Sequence, residues 1–154
     1  MEDLVAKMWI CRTASAKLPG MDTLTLQSAL AEYFAPWVQA LDLQVLACDG
    51  DAVTIRLPRQ AQLARVGGMV CGQAMMAAAD TCMVLALINH LGAFRPCTTV
   101  QMNTSFLKPL SGQDGLIVAR VLRAGKSLAF GEIDIRAASD GKSVCRASTT
   151  YALL

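Results

Sequence analysis

Charge is scarce in this chain. Asp, Glu, Lys and Arg make up 17% of its 154 residues, against a usual quarter. The 14 basic and 12 acidic residues nearly cancel, leaving a formal charge of +2. That balance gives no basic face of the kind that holds nucleic acid, and no nucleic-acid partner is expected. Histidine is scarcer still, with His90 alone. The six cysteines form no CxxC pair and have only that one His to share, so no metal site is expected. Nor does the N-terminus read as a secretory leader. Glu2 and Asp3 stand where positive charge would, and the apolar run Met8 to Cys11 is too short. Cys11, Cys48, Cys71, Cys82, Cys97 and Cys145 are therefore expected as free thiols in a reducing, cytoplasmic setting.

Apolar residues are what the chain has in excess, at 54%. One domain of this length cannot cover so much apolar surface alone. A homo-oligomer with a large apolar interface is expected, a homodimer or a homotetramer built as a dimer of dimers. Residues 1–20 read as a loosely attached extension, with Met21 a workable alternative start. Residues 21–154 read as a single domain.

The chain is organised around Val70 to His90, VCGQAMMAAADTCMVLALINH. Gly72 and Gln73 open this segment, and Asn89, His90 and Gly92 close it. A helix apolar on every side is covered on every side. Twenty residues at 1.5 Å each give a rod of roughly 30 Å, long enough for a bilayer. Asp80 sits at its midpoint and no second span follows, so no membrane partner is expected. A lone ionised carboxylate among apolar residues needs partners or water. Asp80 either bonds Thr81 or a neighbouring loop, or it is a catalytic carboxylate held at a cleft. His90 reads as a cation at the helix C-terminus. Met69, Met75, Met76 and Met83 read as core or as the lining of an apolar pocket.

Asp22 or Thr23 caps a first helix, with Leu24, Leu26, Leu30, Tyr33, Phe34 and Trp37 as its apolar positions and Pro36 ending or bending it. Leu41–Ala47 and Ala52–Leu57 read as a hairpin about Asp49-Gly50. Arg59 to Gly68 is a loop or short helical turn. After the long helix, Cys97–Leu107, Leu116–Leu122, Ser127–Ala137 and Ser143–Leu153 read as strands, with Gly131 a bulge candidate. Short turns between them predict an antiparallel meander. The fold class is α+β, an antiparallel sheet of five or six strands wrapped round one long helix.

Several local patterns then resemble one family. Cys71-Gly72-Gln73 stands where the PaaI-like branch of hotdog-fold acyl-CoA thioesterases carries His-Gly-Gly, and Asp80 follows nine residues after Cys71. Asn103-Thr104-Ser105-Phe106-Leu107-Lys108-Pro109 is similar to its Asn-x-x-aromatic-Leu/Met-x-Pro strand end. Arg123-Ala124-Gly125-Lys126 resembles its basic-Gly-basic turn. Asp140-Gly141-Lys142 with Ala147 to Tyr151 resembles its last hairpin.

The resemblance implies a hotdog fold and hydrolysis of an acyl-CoA or acyl-carrier-protein thioester, with CoA as part of the substrate and no cofactor. It implies that Asp80 is general base or nucleophile and that the Gly72 N–H holds the oxyanion. Thr99, supplied by the partner subunit, positions water. Lys108, Arg123, Lys126 and Ser127 meet the CoA nucleotide and phosphates, although Arg123 also reads as solvating a sheet face with Arg120 and Arg136. Gln73 either offers its amide to the substrate carbonyl or caps the helix. Met76 and Cys71 fall at the acyl group, where Cys71 reads as a weak donor, a nucleophile or a small buried side chain. Two other functions are compatible with the fold: a non-catalytic acyl-CoA-binding module, and, ranked below it, a hydratase or dehydratase, which needs a His beside a carboxylate and for which His90 is badly placed.

Overall fold

The computed structural model describes residues 21–154; the expectations for residues 1–20 and Cys11 lie outside them. The elements run α1 (Thr23–Tyr33), α2 (Pro36–Gln39), β1 (Gln44–Asp49), β2 (Ala52–Leu57), a 3-10 turn (Ala61–Leu63), β3 (Ala64–Arg65), β4 (Met69–Val70), α3 (Gly72–Leu91), β5 (Cys97–Phe106), β6 (Gly115–Ala124), β7 (Leu128–Ala137) and β8 (Ser143–Leu153). β1, β2, β6, β7, β8 and β5, in that spatial order, form one antiparallel sheet. β3 and β4 are a separate small ribbon. The sheet wraps α3, which is the hotdog architecture.

Strand alternation explains the wrapping. Val53, Ile55 and Leu57 of β2, Ile117, Ala119 and Val121 of β6, and Ile133 and Ile135 of β7 turn inward and are buried. Intervening residues such as Arg120, Glu132 and Arg136 face outward, where Arg120 lies 4.0 Å from Glu132 and Arg136 2.7 Å from Asp134. These are sheet-face ion pairs, as expected for Arg120 and Arg136. By length and composition α3 could cross a membrane, yet 67% of its most apolar window is buried among the other described elements.

Two sequence expectations fail. β5 is not part of a meander: β6, β7 and β8 follow one another, but β5 pairs with β8 at the sheet's far edge. The segment 107–114 between β5 and β6 is too long for a tight hairpin. It crosses beneath the N-terminal end of α3, pinned by the buried Leu110 and the bond from Val70 N–H to Leu110 C=O at 2.9 Å. Second, Leu24, Tyr33 and Trp37 are exposed at 78%, 40% and 65%. Only Leu26, Ala29 and Leu30 of α1 reach the core. Pro36 starts α2 instead of simply ending α1, and Tyr33 stacks on Phe94 with centroids 4.0 Å apart.

Smaller shifts have local causes. The first hairpin turns on Gly50-Asp51, one residue later than read, with Asp49 paired to Ala52 and Gly50 at φ +54°. Gly131 is not bulged. The extra residue is Leu122 on the neighbouring strand, and Gly131 is bare because Met83 fills its place: a Cβ there would lie 2.2 Å from Met83 Sδ. The helix ends are clean. Asp22 accepts from the Thr25 N–H at 2.7 Å, and Gly92, left-handed at φ +76°, closes α3.

Candidate functional site

The centre of the site is built by α3, β5 and β8. α3 leaves one stripe poorly covered: Gln73, Met76, Ala77, Asp80 and Val84, spaced three or four apart. β5 runs beside it. Asp80 Oδ1 accepts from Thr99 Oγ1 at 2.9 Å and from Tyr151 Oη at 2.5 Å. Thr99 and Tyr151 are direct cross-strand partners on β5 and β8. A bulge at Val100 follows Thr99 and leaves Val100 59% exposed, while Thr99, itself exposed, reaches α3 with its hydroxyl. Thr81, the bland partner for Asp80, instead bonds its own helix at Ala77 C=O, 2.8 Å away.

Thr99 and Asp80 of one chain thus meet directly. Tyr151 escaped the sequence reading as a site residue. Its signal was a phenol placed in a strand whose other inward residues are apolar or small, since a buried Tyr hydroxyl needs a polar partner. Burial foremost, and then the Asp80 charge, raise the Tyr151 phenol far above its ordinary range. Burial, reinforced by the same charge, also raises the Cys97 thiol.

Gly72 is the first residue of α3. The first bond of the helical ladder is Met75 N–H to Cys71 C=O, so the N–H groups of Gly72, Gln73 and Ala74 lie outside it. The N-cap, Cys71, makes no side-chain capping bond. The Phe106 ring lies over Gly72, 3.1 Å from where a Cβ would stand. A cleft of about 370 Å³ opens here, lined by Met69, Val70, Gly72, Met75, Phe106 and Leu107, with Arg65 and Lys108 at its rim. Asp80 does not line it. Met75 thus serves as both core and lining, Met83 is fully buried, and Met76 is 39% exposed on the open stripe. Gln73 is exposed, and its amide makes no hydrogen bond among the described residues.

The four phosphate candidates are not one cluster. Lys108 follows the end of β5 that pairs with Cys145, whereas Ser127 C=O accepts from Leu153 N–H at the other end of β8. Ten strand residues, roughly 30 Å, separate the two ends. Arg123, Lys126 and Ser127 do group together at the β6–β7 turn, where Arg95 bonds Lys126 C=O at 3.0 Å. His90 is ten residues from Asp80, and its Nδ1 lies 2.8 Å from Asp51 Oδ1 at the first hairpin. That holds His90 away from the carboxylate, against the hydratase reading. No group of three or more His, Cys, Asp or Glu able to hold a metal occurs among the described residues.

A family model described as the thioesterase superfamily matches residues 67–144. "Putative esterase TV1331" of Thermoplasma volcanium is 30% identical over 98 residues, 64% of this chain and 71% of that protein. Among solved structures, a putative thioesterase (TM1040_1390) from Silicibacter sp. TM1040 is 30% identical with a TM-score of 0.79, covering 91% of this chain and 96% of that one. The E. coli PaaI protein from the phenylacetic acid degradation operon shares the fold at 18% identity and a TM-score of 0.74, over 86% of this chain and 93% of its own.

Proposed function

Since the chain belongs to the thioesterase superfamily and is a thioester hydrolase, we propose that it cleaves acyl-CoA thioesters at a site shared between two copies, with Asp80 from one and the Gly72 N–H from the other. The observation that carries this reading is the spacing of the two groups. They are eight residues apart on one helix, about 12 Å at 1.5 Å per residue. An oxyanion donor and an attacking group must both lie roughly 3 Å from the reacting carbonyl. One chain cannot supply both.

β5 offers the means of joining two copies. It is a sheet edge of ten residues, CTTVQMNTSF, with no charge and no proline. Edge strands usually carry such devices against self-pairing. Val100 and Phe106 are 59% and 50% exposed on it, with Leu107 beyond at 51%. Antiparallel pairing of β5 with its own copy about a two-fold axis would set Thr99 of one chain near Phe106 of the other. Asp80 lies at Thr99 and Gly72 at Phe106, so the same pairing brings Asp80 toward Gly72 of the partner subunit. It also brings Lys108 of the partner subunit toward Arg123, Lys126 and Ser127, which assembles a cationic end for the CoA phosphates.

In this reading the thioester carbonyl oxygen accepts from the Gly72 N–H at the positive end of α3. Asp80 takes a proton from water as the oxygen adds to the carbonyl carbon, or attacks that carbon itself. The tetrahedral centre collapses, the C–S bond breaks, and the thiolate leaves and is protonated. In the second route the acyl group is left as an anhydride on Asp80, which water then hydrolyses to release the acid and restore the carboxylate. The cleft beside Gly72, with Met69 and Met75 in its wall, takes the acyl group. The test is Asp80→Asn assayed by thiol trapping over acyl-CoAs from short-chain to aromatic. The variant should lose at least a hundredfold in kcat, in the range that general bases contribute, and wild-type turnover would remove the mechanism.

A further inference from the structure

Asp80 is held by one oxygen. A carboxylate oxygen offers about two lone-pair positions, and on Oδ1 both are taken, by Thr99 at 2.9 Å and by Tyr151 at 2.5 Å. Oδ2 accepts nothing among the described residues. The two donors differ in kind. Thr99 is exposed on the edge strand, whereas Tyr151 is 1% exposed, its ring fixed in the core. Its hydroxyl also lies 3.1 Å from the Asp80 backbone C=O. With a single hydrogen, the phenol donates chiefly to the nearer carboxylate oxygen, the backbone carbonyl being the more distant alternative acceptor.

We propose that Tyr151 is a positioning residue for hydrolysis: together with Thr99 it saturates Oδ1 of Asp80 and leaves Oδ2 as the one carboxylate oxygen free to take the proton or to attack. This rests on Asp80 being the reacting carboxylate. The carboxylate is thereby fixed in rotation by its two donors, and Oδ2 keeps one direction. The phenol remains a donor through neutral pH, since burial and the adjacent charge both oppose its ionisation.

The experiment is Tyr151→Phe in the full chain, with kcat and KM measured on the acyl-CoA that wild type cleaves best. kcat should fall roughly 10- to 100-fold with KM within about twofold, since geometry is lost but binding is not. A second preparation keeps the ring and changes only the donor: 3-fluorotyrosine incorporated into Tyr33→Phe protein, leaving Tyr151 as the labelled site. The fluorophenol still donates, so its kcat should stay within about threefold of wild type. If Tyr151→Phe does not fold, Thr99→Val, which removes the other Oδ1 donor from the exposed edge strand, carries the test: kcat should fall roughly 10-fold with KM within about twofold. A kcat within about twofold of wild type in the folded variant, or a KM that rises as kcat falls, overturns the proposal. If Asp80→Asn is inactive in that case, only the positioning role fails; if Asp80→Asn is active, the catalytic reading beneath it fails as well.

Discussion

Asp51 of the first hairpin turn and His90 of the last turn of α3 lie 2.8 Å apart. Beside them, Asn89 Nδ2 donates to Gly50 C=O at 2.9 Å, and Asn89 Oδ1 accepts from the Met21 N–H at 3.1 Å. The C-terminal end of α3 is thus clamped by the hairpin, while its N-terminal end stands beside a cleft. One rod has a structural end and a chemical end. The single histidine belongs to the structural one. Replacing His90 by Gln should lower Tm by a few degrees, on the scale of one lost side-chain hydrogen bond, and leave kcat within about twofold. A large loss of kcat with unchanged Tm would return His90 to the chemistry.

Gly131→Ala should destabilise strongly for one substitution. The added Cβ would lie 2.2 Å from Met83 Sδ, 2.3 Å from Met83 Cε and 3.0 Å from the Arg120 carbonyl oxygen. Met83 is fully buried and cannot retreat into solvent. Overpacking of this kind costs about 1–3 kcal/mol. In a Met83→Ala background the same change should cost much less, because the space is then free. Thermal melts of the four proteins of this cycle check the coupling, and equal penalties in both backgrounds would contradict it.

Acid should unfold the protein through carboxylates that are paired in the folded state. The Arg59 backbone N–H first, and then the Arg56 side chain, hold Asp114 below its ordinary value of 3.8. At Asp134 burial pushes upward, but Ser143 and Arg136 outweigh it and the net direction is again down. A depressed folded-state pKa gives stability that is present above the unfolded value and lost as pH falls through the folded one. Tm should therefore hold from neutral pH down to about 5 and fall below about 4, as these groups protonate. Asp114→Asn should lower Tm at pH 7 and flatten its acid dependence. An unchanged slope in acid would contradict this.

Cys71 should prove dispensable as a nucleophile. Its backbone N–H donates to Leu63 C=O at 2.8 Å, and its thiol makes no capping bond. Cys71→Ala should keep kcat within about threefold. Burial pushes the Cys145 thiol up to about 11, and burial alone raises that of Cys82 further. Neither should react with a thiol reagent at neutral pH until the protein unfolds. Loss of activity in Cys71→Ala, or fast labelling of Cys145 in the native state, would count against this.

Much of this was legible in the chain. The uniform apolarity of Gly72 to Leu91 announced a covered helix, and Asp80 stood out because nothing else on that rod is acidic. The second, sixth, seventh and eighth strands could be read from alternation and turn residues. The place of β5 could not. Periodicity marks a strand but not its neighbour, and only the length of the segment 107–114 hinted that it crosses the fold. Tyr151 was hidden for a related reason. It meets Asp80 across 71 residues, and its role depends on strand register and on the Val100 bulge. The scattering of Lys108 from Arg123 and Lys126 was likewise invisible, since it follows from the sheet order.

The shared site is tested most directly by mixing two inactive chains. Asp80→Asn removes the reacting carboxylate. Gly72→Pro removes the N–H donor at the first helical position, which tolerates proline. Cys71, at φ −69° and ψ 149°, already has the extended backbone that precedes proline, and the half-exposed Phe106 ring can give way. Each variant alone should be inactive. Refolded together in equal amounts, half the dimers would be mixed, each holding one intact site, so roughly a quarter of wild-type activity should return. No recovery in a sample whose mixed dimers are verified by native mass spectrometry would contradict the account.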